Sequence, residues 1–409
     1  MAQKLKFGNG TWATKEGSTL AYNDENNNYK PLPFTTTRNS IGTRVNKEGL
    51  IEVVGNDIPR IDYTDDSKGA LLLEPQRTNS FPYSSDFTSF ASASNGTGTN
   101  PVITSNYSVS PDGTQNADRI QFNRGSGTSS SDTSYVTYGL SLGTIDATLS
   151  IYLKTNDGTT KDVTLRLGAS LFDYDVTITS NWQRFTLSGN TSVDRLQILL
   201  YGNQNSQTAD ISCFGAQVEQ NSFSTSYIPT SGSSVTRQAD TASGSGNSEV
   251  FNDSEGSLYM DFDVIEKTSS SYYIVSVRSS NGSNVLGVGG RQGKAFAEMF
   301  DGTNYISNNS ANLVDGKNKI FLTYNSGSSA KLFLNGIKVL DFTGTIPTLS
   351  NLSELTQGDR FLGNKYYGNI SEIGYYDTAL TDLELETLTS YRTWISMVNE
   401  LNLNIIYNG

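Results

Sequence analysis

The chain of 409 residues contains no histidine and only one cysteine, Cys213. Histidine is the commonest general base and the commonest metal ligand, so its absence excludes Ser-His-Asp and Cys-His catalysis. A single cysteine excludes a disulfide framework or a zinc-thiolate site within one chain. Because Cys213 lies in an apolar, strand-like segment, it is predicted to be a small buried hydrophobe and not a reactive thiol.

Long apolar runs and charged residues are also scarce. No stretch of 18 apolar residues exists, so no segment is predicted to span a membrane as a helix. Hydrophobic residues make up 35% and charged residues 17%, below the roughly 45–50% and 25% of ordinary globular domains. The difference is taken up by Ser, Thr, Asn, Gln and Gly, while 22 Tyr and 18 Phe supply apolar area. This composition favours strands with one solvated face over helices.

The net charge of −12 is unevenly distributed along the chain. Residues 1–77 carry ten Lys and Arg against ten Asp and Glu, so the remaining 19 basic and 31 acidic residues account for the whole −12. An acidic body argues against nucleic-acid binding, which needs clustered Lys and Arg at the phosphates. We therefore expect no nucleic-acid partner.

The pattern of polar, turn and apolar residues divides the chain into five segments. Residues 1–80 are rich in charge, Gly, Asn and Pro and lack regular alternation, which predicts an extended N-terminal arm that becomes ordered against something else. Two β-rich domains follow at 81–240 and 255–393, joined by a Ser/Gly-rich linker or wrapped connector at 241–254. Residues 394–409 are predicted to form a helical tail.

Local patterns predict the type of most elements. Alternating apolar residues mark half-buried strands, as in Leu149-Ile151-Leu153 and Leu258-Met260-Phe262, and a slip of this phase within 211–218 indicates a bulge. Asn335-Gly336 between two strand-like runs predicts a type I′ hairpin, because both turn residues need a positive φ. Thr381 and Glu384 form a capping-box pattern before the one helical segment. The fold class is therefore all-β: an extended N-terminal arm, two antiparallel β-sandwich (jelly-roll) domains and a short C-terminal helix.

Several motifs resemble those of tailed-bacteriophage structural proteins, including head and tail fibres. They are RNSIGTRVN (38–46), GLIE (49–52), PRIDY (59–63), LLLEPQRTN (71–79), GAQVE (215–219), TSYIPT (225–230) and RQAD (237–240). The first four resemble a module that recurs in these proteins, and the last three are similar to its partner motif. The resemblance implies a structural protein of a phage virion.

The two β-rich domains resemble lectin-like folds. The domain at 81–240 looks like a carbohydrate-binding-module jelly roll. The domain at 255–393 resembles a laminin-G/concanavalin-A-like sandwich, through GSLYMDF (256–262), LFLNG (332–336), GNISEI (368–373) and YYDTALT (375–381). Because sandwiches host many unrelated activities, these resemblances imply fold more strongly than function.

The opening segment KFGNGTWATK (6–15) resembles leader segments of phage fibre and virion-surface proteins. It implies an N-terminal anchor that docks to other virion proteins of the capsid or tail. Phe7, Trp12 and Tyr22 are the candidate virion-anchor residues. Removing residues 1–37 is then expected to leave soluble sandwiches that no longer join the particle.

The segment from Asp261 to Glu266 carries the pattern closest to a catalytic site. It is similar to the Glu-x-Asp-x-(x)-Glu strand of laminarinase-type glycanases, whose first and last carboxyls are nucleophile and general acid. Retaining chemistry needs two carboxyls about 5–5.5 Å apart on one face. Asp261 and Asp263 share a strand face, but Glu266 is out of phase with them. We therefore predict no catalytic residue and no enzyme, with a carboxylate-based glycan depolymerase as the alternative.

Calcium binding is another possible function of the carboxylates, because laminin-G-like folds often bind calcium through carboxylates at the rim of the sandwich. The candidates Asp301, Asp315 and Asp359 lie in turn-like sequence, where Asp commonly caps its own backbone. No ligand spacing of the EF-hand type is present. No metal and no cofactor are therefore predicted.

Adjacent tyrosine pairs supply the candidate glycan contacts. In a strand one member of each pair faces outward, where it can stack on a sugar or cover a subunit interface. The candidates for glycan contact are Tyr272, Tyr366 and Tyr375.

The expected function is that of a non-enzymatic virion structural protein of a tailed phage: a head or tail fibre, decoration or adhesin subunit. It would be made in the host cytoplasm, reside on the virion surface and present lectin-like domains to host or environmental glycans. An architectural cement protein without a ligand is a further alternative. Closed cyclic homo-oligomers are the default for such assemblies, and a trimer is the expected state.

Overall fold

A computed structural model describes residues 3–23, 29–168, 173–202, 205–264, 272–358, 365–391 and 393–400. The chain forms two compact units, each assembled from separate stretches of sequence. Unit 1 consists of Met1–Asn39, Val54–Pro75 and Ala239–Gly409, and unit 2 of Ser40–Val53 and Gln76–Gln238. No helix among the described residues is long and apolar enough to cross a membrane.

The structure is almost entirely β, as predicted. The first strands are β1 (Leu5–Gly8), β2 (Thr14–Lys15), β3 (Ser18–Thr19), β4 (Tyr22–Asn23), β5 (Lys30–Pro31), β6 (Phe34–Thr37), β7 (Gly42–Val45), β8 (Ile51–Val54), β9 (Ile61–Asp62), β10 (Ala70–Leu73) and β11 (Arg77–Asn79). The middle strands are β12 (Ala91–Asn95), β13 (Thr99–Ser108), β14 (Ala117–Asn123), β15 (Thr133–Thr155), β16 (Lys161–Leu167), β17 (Asp173–Ile178), β18 (Gln183–Tyr201), β19 (Thr208–Glu219) and β20 (Val235–Arg237). The last elements are β21 (Thr241–Ser243), β22 (Glu255–Val264), β23 (Tyr272–Ser279), β24 (Val285–Arg291), β25 (Lys294–Phe300), β26 (Tyr305–Asn312), β27 (Asn318–Asn325), β28 (Ser329–Leu334), β29 (Ile337–Asp341), β30 (Leu352–Gln357), β31 (Gly368–Tyr376), α1 (Asp382–Thr389) and α2 (Trp394–Glu400).

Unit 1 is a β-sandwich. One layer is a ten-stranded sheet in the order β29-β28-β27-β22-β31-β1-β4-β5, with β10 and β9 branching from β31, and the other is the five-stranded sheet β26-β25-β24-β23-β30. Leu258, Met260 and Phe262 point from β22 into the core between the layers, where they meet residues such as Val275 and Val277 of β23. The predicted period-2 face of this strand is confirmed.

The N-terminal segment is part of this sandwich. Strand β1 pairs with β31 on one side and β4 on the other, and its Leu5 and Phe7 side chains are fully buried in the core. The predicted arm at 1–80 therefore differs from the observed organisation: residues 1–39 and 54–75 belong to unit 1, whereas 40–53 and 76–80 belong to unit 2. The reason is physical, because a strand in the middle of a sheet must satisfy its backbone hydrogen bonds on both edges.

A buried ion cluster joins the three sequence stretches of unit 1. The Arg38 guanidinium donates to Asp240 Oδ1 at 3.0 Å, and Arg60 donates to Glu74 Oε2 at 2.6 Å and also to Asp240 Oδ2. All four side chains are almost completely buried. Two arginines against two carboxylates leave the cluster formally neutral, which is what makes the burial of four charges tolerable.

Unit 2 is built around an eight-stranded sheet in the order β13-β14-β19-β15-β18-β16-β17, with β12 beside β15. Leu149, Ile151 and Leu153 lie in its core, as predicted. The predicted bulge is also confirmed, because the β15–β19 register shifts between Ser150 and Tyr152, opposite Gly215, which has a φ of 65°. Buried Cys213 lies next to this bulge, and burial raises the pKa of its thiol well above the usual range.

The polar motif residues of unit 2 form a second buried network. Glu219 accepts hydrogen bonds from Gln217 at 2.8 Å and from the Thr225 hydroxyl at 2.6 Å. Arg237 donates to the same Thr225 hydroxyl at 3.2 Å, and Asn79 donates to the Ile228 carbonyl at 2.9 Å. Motif residues distant in sequence are therefore scaffold residues of the unit.

The elements around the second predicted domain agree with most of the local patterns. Residues 241–254 form a wrapped connector, since β21 pairs with β6 and both Val250 and Phe251 are buried. Asn335 and Gly336 have φ values of 49° and 86° between β28 and β29, as the predicted hairpin requires. Thr381 caps α1 in a complete capping box. The predicted tail at 394–409 contains α2, and residues 401–409 lie outside the described part of the chain.

The turn after β1 gives a testable stability effect. Gly8 has a φ of 90°, and a Cβ there would overlap the Ser371 carbonyl oxygen, which accepts from the Asn9 amide at 2.7 Å. Gly17 has a φ of 70° and open space around it. Substitution at Gly17 therefore measures the cost of the positive φ alone, without a steric overlap. We expect Gly17→Ala to cost about 1–2 kcal/mol and Gly8→Ala about 1–3 kcal/mol more in denaturant unfolding. Equal losses of unfolding free energy in the two variants would contradict the close contact between this turn and the Ser371 backbone.

Candidate ligand-binding site

The outer face of the ten-stranded sheet of unit 1 brings charged side chains into register. Lys319 on β27 lies opposite Asp261 on β22, and Asp261 in turn lies opposite Glu372 on β31. Because neighbours on the chain alternate between faces, the core packing of Met260 and Ile373 directs Asp261 and Glu372 outward. Three adjacent strands therefore carry one amino group and two carboxylates in a row.

Helix α1 covers part of this face and leaves the rest open. Its Leu385 packs with Leu380 on a patch of aromatic rings from the sheet, namely Tyr259, Phe321, Phe333 and Tyr376. Beside the helix lies a cavity of about 500 Å³. Its lining residues are Gln3, Lys6, Asn9, Asp66, Ser67, Lys68, Tyr259, Asp261, Lys317, Lys319, Phe321, Ser371, Glu372, Tyr376, Thr387, Leu388, Ser390 and Ser396.

The lining of this cavity, hereafter the groove, is of mixed polarity and rich in polar groups. It combines the amino groups of four lysines with three carboxylates, two amides and several hydroxyls, which are contributed by the residues named above. The rings of Tyr259, Phe321 and Tyr376 are almost completely buried, so they form a floor and not an exposed stacking platform. Such a lining offers both donors and acceptors at many positions and suits a ligand that is itself rich in hydroxyl groups.

A bridge of polar groups at Asp66 fixes one wall of the groove. The Asp66 carboxylate accepts from Lys317 Nζ at 2.5 Å and from the Ser371 hydroxyl at 2.9 Å. Ser371 stands at a register shift between β22 and β31, and such a bulge redirects a side chain. Burial acts to raise the pKa of Asp66, but the hydrogen bonds from Lys317, the Lys68 amide and Ser371 lower it overall. Asp66 is thus held as a carboxylate.

An acidic cavity of about 530 Å³ adjoins the groove behind this bridge. It is lined by Asp62, Asp65, Asp66, Ala70, Asp263, Asp315, Gly316, Lys317, Asn369 and Ser371. Desolvation, followed by the neighbouring Asp62 carboxylate, raises the pKa of Asp65. Within the described ranges, no group of three or more His, Cys, Asp or Glu residues is arranged to hold a metal ion.

The three candidate calcium residues have different locations. Asp301 binds its own turn, accepting from the amides of Thr303 and Asn304 at 3.0 and 2.6 Å and from the Thr348 amide at 2.9 Å. Asp315 lines the acidic cavity. Asp359 lies outside the described residues. The turn-capping interpretation therefore accounts for Asp301.

The capping role of Asp301 predicts a pH dependence. Although partial desolvation acts to raise it, the hydrogen bonds from Asn304, Thr348 and Thr303 lower the pKa of Asp301 to about 2. A carboxyl whose pKa is lower in the folded state stabilises the fold above its unfolded pKa, and this contribution is lost as the pH falls from 4 towards 2. We expect the stability difference between the wild type and Asp301→Asn to shrink over that range in acid unfolding experiments. A carboxyl titration by NMR with a midpoint at or above the ordinary value would contradict this assignment.

The residues of the candidate catalytic segment lie in different places. Asp261 lines the groove and Asp263 lines the acidic cavity, whereas Glu266 lies outside the described residues. The carboxylate that lies opposite Asp261 is Glu372, which the sequence analysis did not identify. Only the pairing of β22 with β31 reveals it, because the two residues are more than 100 positions apart.

The candidate glycan-contact residues are wrong in two of three cases. Tyr366 is fully buried and donates to the carbonyl oxygens of Asp263 and Asn369 at 2.7 and 2.8 Å. Tyr375 is also fully buried, bonded to Tyr324 Oη at 2.8 Å, and burial raises the pKa of Tyr375 to about 12. The side chain of Tyr272 lies outside the described part of the structure. Buried, hydrogen-bonded tyrosines are core residues and not sugar platforms.

The candidate anchor residues are all involved in packing within unit 1. Phe7 is fully buried, with its ring centroid 5.0 Å from that of Phe34. Trp12 is partly buried, and its indole Nε1 donates to the carbonyls of Lys68 and Gly69 at 3.1 and 3.0 Å. Tyr22 is partly exposed, and its ring centroid lies 5.5 Å from that of Tyr29. In this conformation the Phe7 side chain is not accessible to a partner protein.

Comparison with known proteins finds similarity only at the level of solved structures. The sequence matches no protein-family model and no curated protein. The CBM40 module of the Ruminococcus gnavus IT-sialidase, bound to α2,3-sialyllactose, is 16% identical, covers 36% of this chain and 94% of its own, and gives a TM-score of 0.30. Domain 4 of AbnA, a GH43 extracellular arabinanase from Geobacillus stearothermophilus in complex with arabinotriose, is 13% identical, with coverages of 41% and 83% and a TM-score of 0.30.

A third similar structure is the NanB sialidase from Streptococcus pneumoniae. It is 19% identical, with coverages of 34% of this chain and 24% of its own, and a TM-score of 0.29. Two of these three structures contain a bound sugar. TM-scores of about 0.3 are too low to assign a ligand or a site to this chain.

Proposed function

We propose that the protein is a non-catalytic structural component of a tailed-bacteriophage virion that binds glycans through the groove of unit 1. The observation that carries the glycan part is the cavity of about 500 Å³ on the outer sheet face, with its dense lining of hydroxyl, amide, amino and carboxylate groups. Sugars present many hydroxyls that both donate and accept, so a pocket of mixed polarity matches them better than an apolar one.

The arrangement of charges in the groove supports reversible binding. Lys317 is neutralised by Asp66, and Lys319 lies across from Asp261, so much of the charge is compensated within the lining. A lining without a large excess of positive or negative charge can bind neutral or weakly charged sugar chains. Hydrogen bonds to charged groups are worth about 1.5–3 kcal/mol each, so a few of them suffice for weak affinity.

The virion setting is supported by the resemblance of the motifs to phage fibre and surface proteins. The structure gives several of these motif residues a scaffold role: Arg38, Arg60, Glu74 and Asp240 form the ion cluster of unit 1. We expect the protein to act on the virion surface as a homotrimer, in contact with other capsid or tail proteins. Many copies would turn weak single contacts into firm attachment.

Retention of the purified chain on immobilised bacterial and algal polysaccharides tests the glycan part. Lys6 lines the groove, and Lys15 is an exposed lysine of the same unit that does not line it, so they form a matched pair. We expect Lys6→Gln to weaken retention about tenfold, equivalent to about 1.4 kcal/mol, and Lys15→Gln to leave it unchanged. Retention that is equally insensitive to both changes would contradict binding in the groove.

A glycan depolymerase is the second candidate, and one observation favours it. Residues that lie directly opposite each other on antiparallel strands have Cβ atoms about 4.5–5.5 Å apart. The two catalytic carboxyl groups of retaining glycosidases are separated by a similar distance, about 5–5.5 Å. Asp261 and Glu372 are such a pair. Release of reducing ends from a retained polysaccharide, abolished by Glu372→Gln and by Asp261→Asn, would establish this function in place of the proposed one.

An architectural cement protein is the third candidate. It would bind no polysaccharide, and removal of its gene would destabilise the particle without changing attachment to the host. Retention of the wild-type chain on any polysaccharide, weakened in Lys6→Gln, distinguishes the proposed function from this one.

A further inference from the structure

Unit 2 carries a separate polar surface on the outer side of its own sheet. Ile120 and Phe122 of β14 point into the core, so Arg119 and Gln121 between them point outward. Asp210 of β19 lies opposite Gln121 and points to the same side. None of these residues belongs to the motifs or the groove discussed above.

Asp210 organises this surface through its side-chain bonds. Its carboxylate forms a bidentate pair with Arg119, accepting from Nε at 2.8 Å and also from Nη2. It also accepts from Asn156 Nδ2 at 2.9 Å. The hydrogen bonds from Arg119, and then from Asn156, lower the pKa of Asp210 although burial acts to raise it. A carboxylate held by a planar guanidinium and an amide has little rotational freedom, so its neighbours present a fixed array.

A chain of hydroxyls fixes the adjacent strands in the same way. The Ser108 hydroxyl donates to Ser212 Oγ at 2.9 Å, and Ser212 Oγ donates to Asn156 Oδ1 at 2.8 Å. The amide of Asn156 is therefore fixed at both ends, by Ser212 and Asp210. These bonds connect β13, β19 and the end of β15 across the surface.

Two aromatic rings flank this polar strip. Tyr107 is 42% exposed, and its ring lies 4.6 Å from the Arg119 guanidinium carbon. Trp182 is half-buried, its indole donates to the Val109 carbonyl at 3.1 Å, and Lys154 Nζ lies 5.1 Å from the ring centroid. Each ring is thus oriented by a cation and keeps part of its surface in solvent.

The register of the sheet sets the distance between the two sides. Arg119 lies opposite Ser212, and Ser212 lies opposite Lys154, so the cations next to the two rings are two strand spacings apart, roughly 10 Å. A strip of fixed amides and a carboxylate, with an oriented ring at each side, matches the two kinds of surface on a sugar chain. The C–H face of a pyranose stacks on a ring, while its hydroxyls need planar hydrogen-bonding groups.

We propose that the surface formed by Tyr107, Arg119, Gln121, Asn156, Trp182 and Asp210 is a second carbohydrate-binding site, which binds an oligosaccharide chain by stacking on Tyr107 and Trp182. Because Arg119 is already paired with Asp210, the site selects sugars by stacking and hydroxyl geometry and not by negative charge. With two sites of different lining, one chain would engage glycans at two points. The site does not depend on ligand binding in the groove of unit 1.

Intrinsic fluorescence of the full chain gives a direct test, because Trp182 is one of only three tryptophans. The probes are xylohexaose, cellohexaose, maltohexaose and a hyaluronan hexasaccharide, titrated to millimolar concentration. We expect a saturable change in emission with at least one neutral probe, absent in Trp182→Phe. Tyr107→Ala should weaken this binding about tenfold, equivalent to about 1.4 kcal/mol.

Two variants serve as matched controls. Tyr174 is a tyrosine of unit 2, on β17, with an exposure similar to that of Tyr107, and Lys6 belongs to the groove of unit 1. Both Tyr174→Ala and Lys6→Gln should leave the titration unchanged, and thermal unfolding confirms that each variant is folded. The inference is overturned if no probe gives an emission change that is lost in Trp182→Phe, or if Tyr107→Ala binds that probe as tightly as the wild type. Loss of binding in Lys6→Gln alone would assign the sugar to the groove instead.

Discussion

Replacing Asp240 with alanine is expected to lower the free energy of unfolding of unit 1 by about 3–5 kcal/mol. The Asp240 carboxylate is almost completely buried and bonds to the guanidinium groups of both Arg38 and Arg60. Its Oδ2 also accepts from the Glu74 amide at 2.9 Å. Without this carboxylate, one of the two buried guanidinium charges has no balancing negative charge, which is the most costly way to break a buried ion pair.

Denaturant unfolding in a Trp182→Phe background measures this effect, because the remaining tryptophans, Trp12 and Trp394, both belong to unit 1. Asp341→Ala is the control, since Asp341 forms an exposed pair with Lys338 at 3.2 Å and surface pairs contribute about 0–1 kcal/mol. A loss below about 1 kcal/mol in Asp240→Ala would mean that the cluster does not hold the three sequence stretches of unit 1 together.

Removing residues 1–37 is expected to prevent unit 1 from folding, instead of leaving the soluble sandwiches that the sequence alone suggested. The deletion would remove β1, β4 and β5 from the ten-stranded sheet and expose the edge of β31 that pairs with β1. It would also remove the side chains of Leu5 and Phe7 from the core, where both are fully buried. Loss of Phe7 alone, in Phe7→Ala, should cost about 3–5 kcal/mol, as expected for a large core ring.

Soluble expression and circular dichroism of the truncated and full-length chains measure this outcome. Tyr29→Ala is the control, because Tyr29 lies in the same N-terminal segment but is 65% exposed, so its loss should have little effect. A soluble truncated chain with native unfolding behaviour would contradict the integral role of β1. It would restore the interpretation of residues 1–37 as a separable arm.

The features that the sequence predicted are those decided by neighbouring residues. The alternation of Leu258, Met260 and Phe262, the positive φ of Asn335 and the capping box at Thr381 each depend on a few adjacent positions. The all-β class follows from the same local patterns. Period, turn geometry and capping are physical constraints that act within one element, so they are readable without the fold.

The features that the sequence did not predict depend on pairing between distant segments. Arg38 and Asp240 are 202 positions apart, and only the fold brings them together. Glu372 becomes the neighbour of Asp261 through the register of β31, which contains a shift near Ser371. The prediction of Tyr375 as the glycan-contact member of its pair is wrong for a related reason. The fold of β31 directs the Tyr375 side chain into the core and places Tyr376 under α1.

The proposed virion role, the trimeric state and the absence of catalysis stay predictions, and the last is the one that decides the account. Real-time NMR of a polysaccharide that the full chain retains, incubated with excess purified protein, measures binding and turnover in the same sample. We predict broadened sugar signals that recover on dilution and no new reducing-end anomeric protons. Growth of those protons with time, abolished by Glu372→Gln, would contradict the account and identify the groove as a catalytic site.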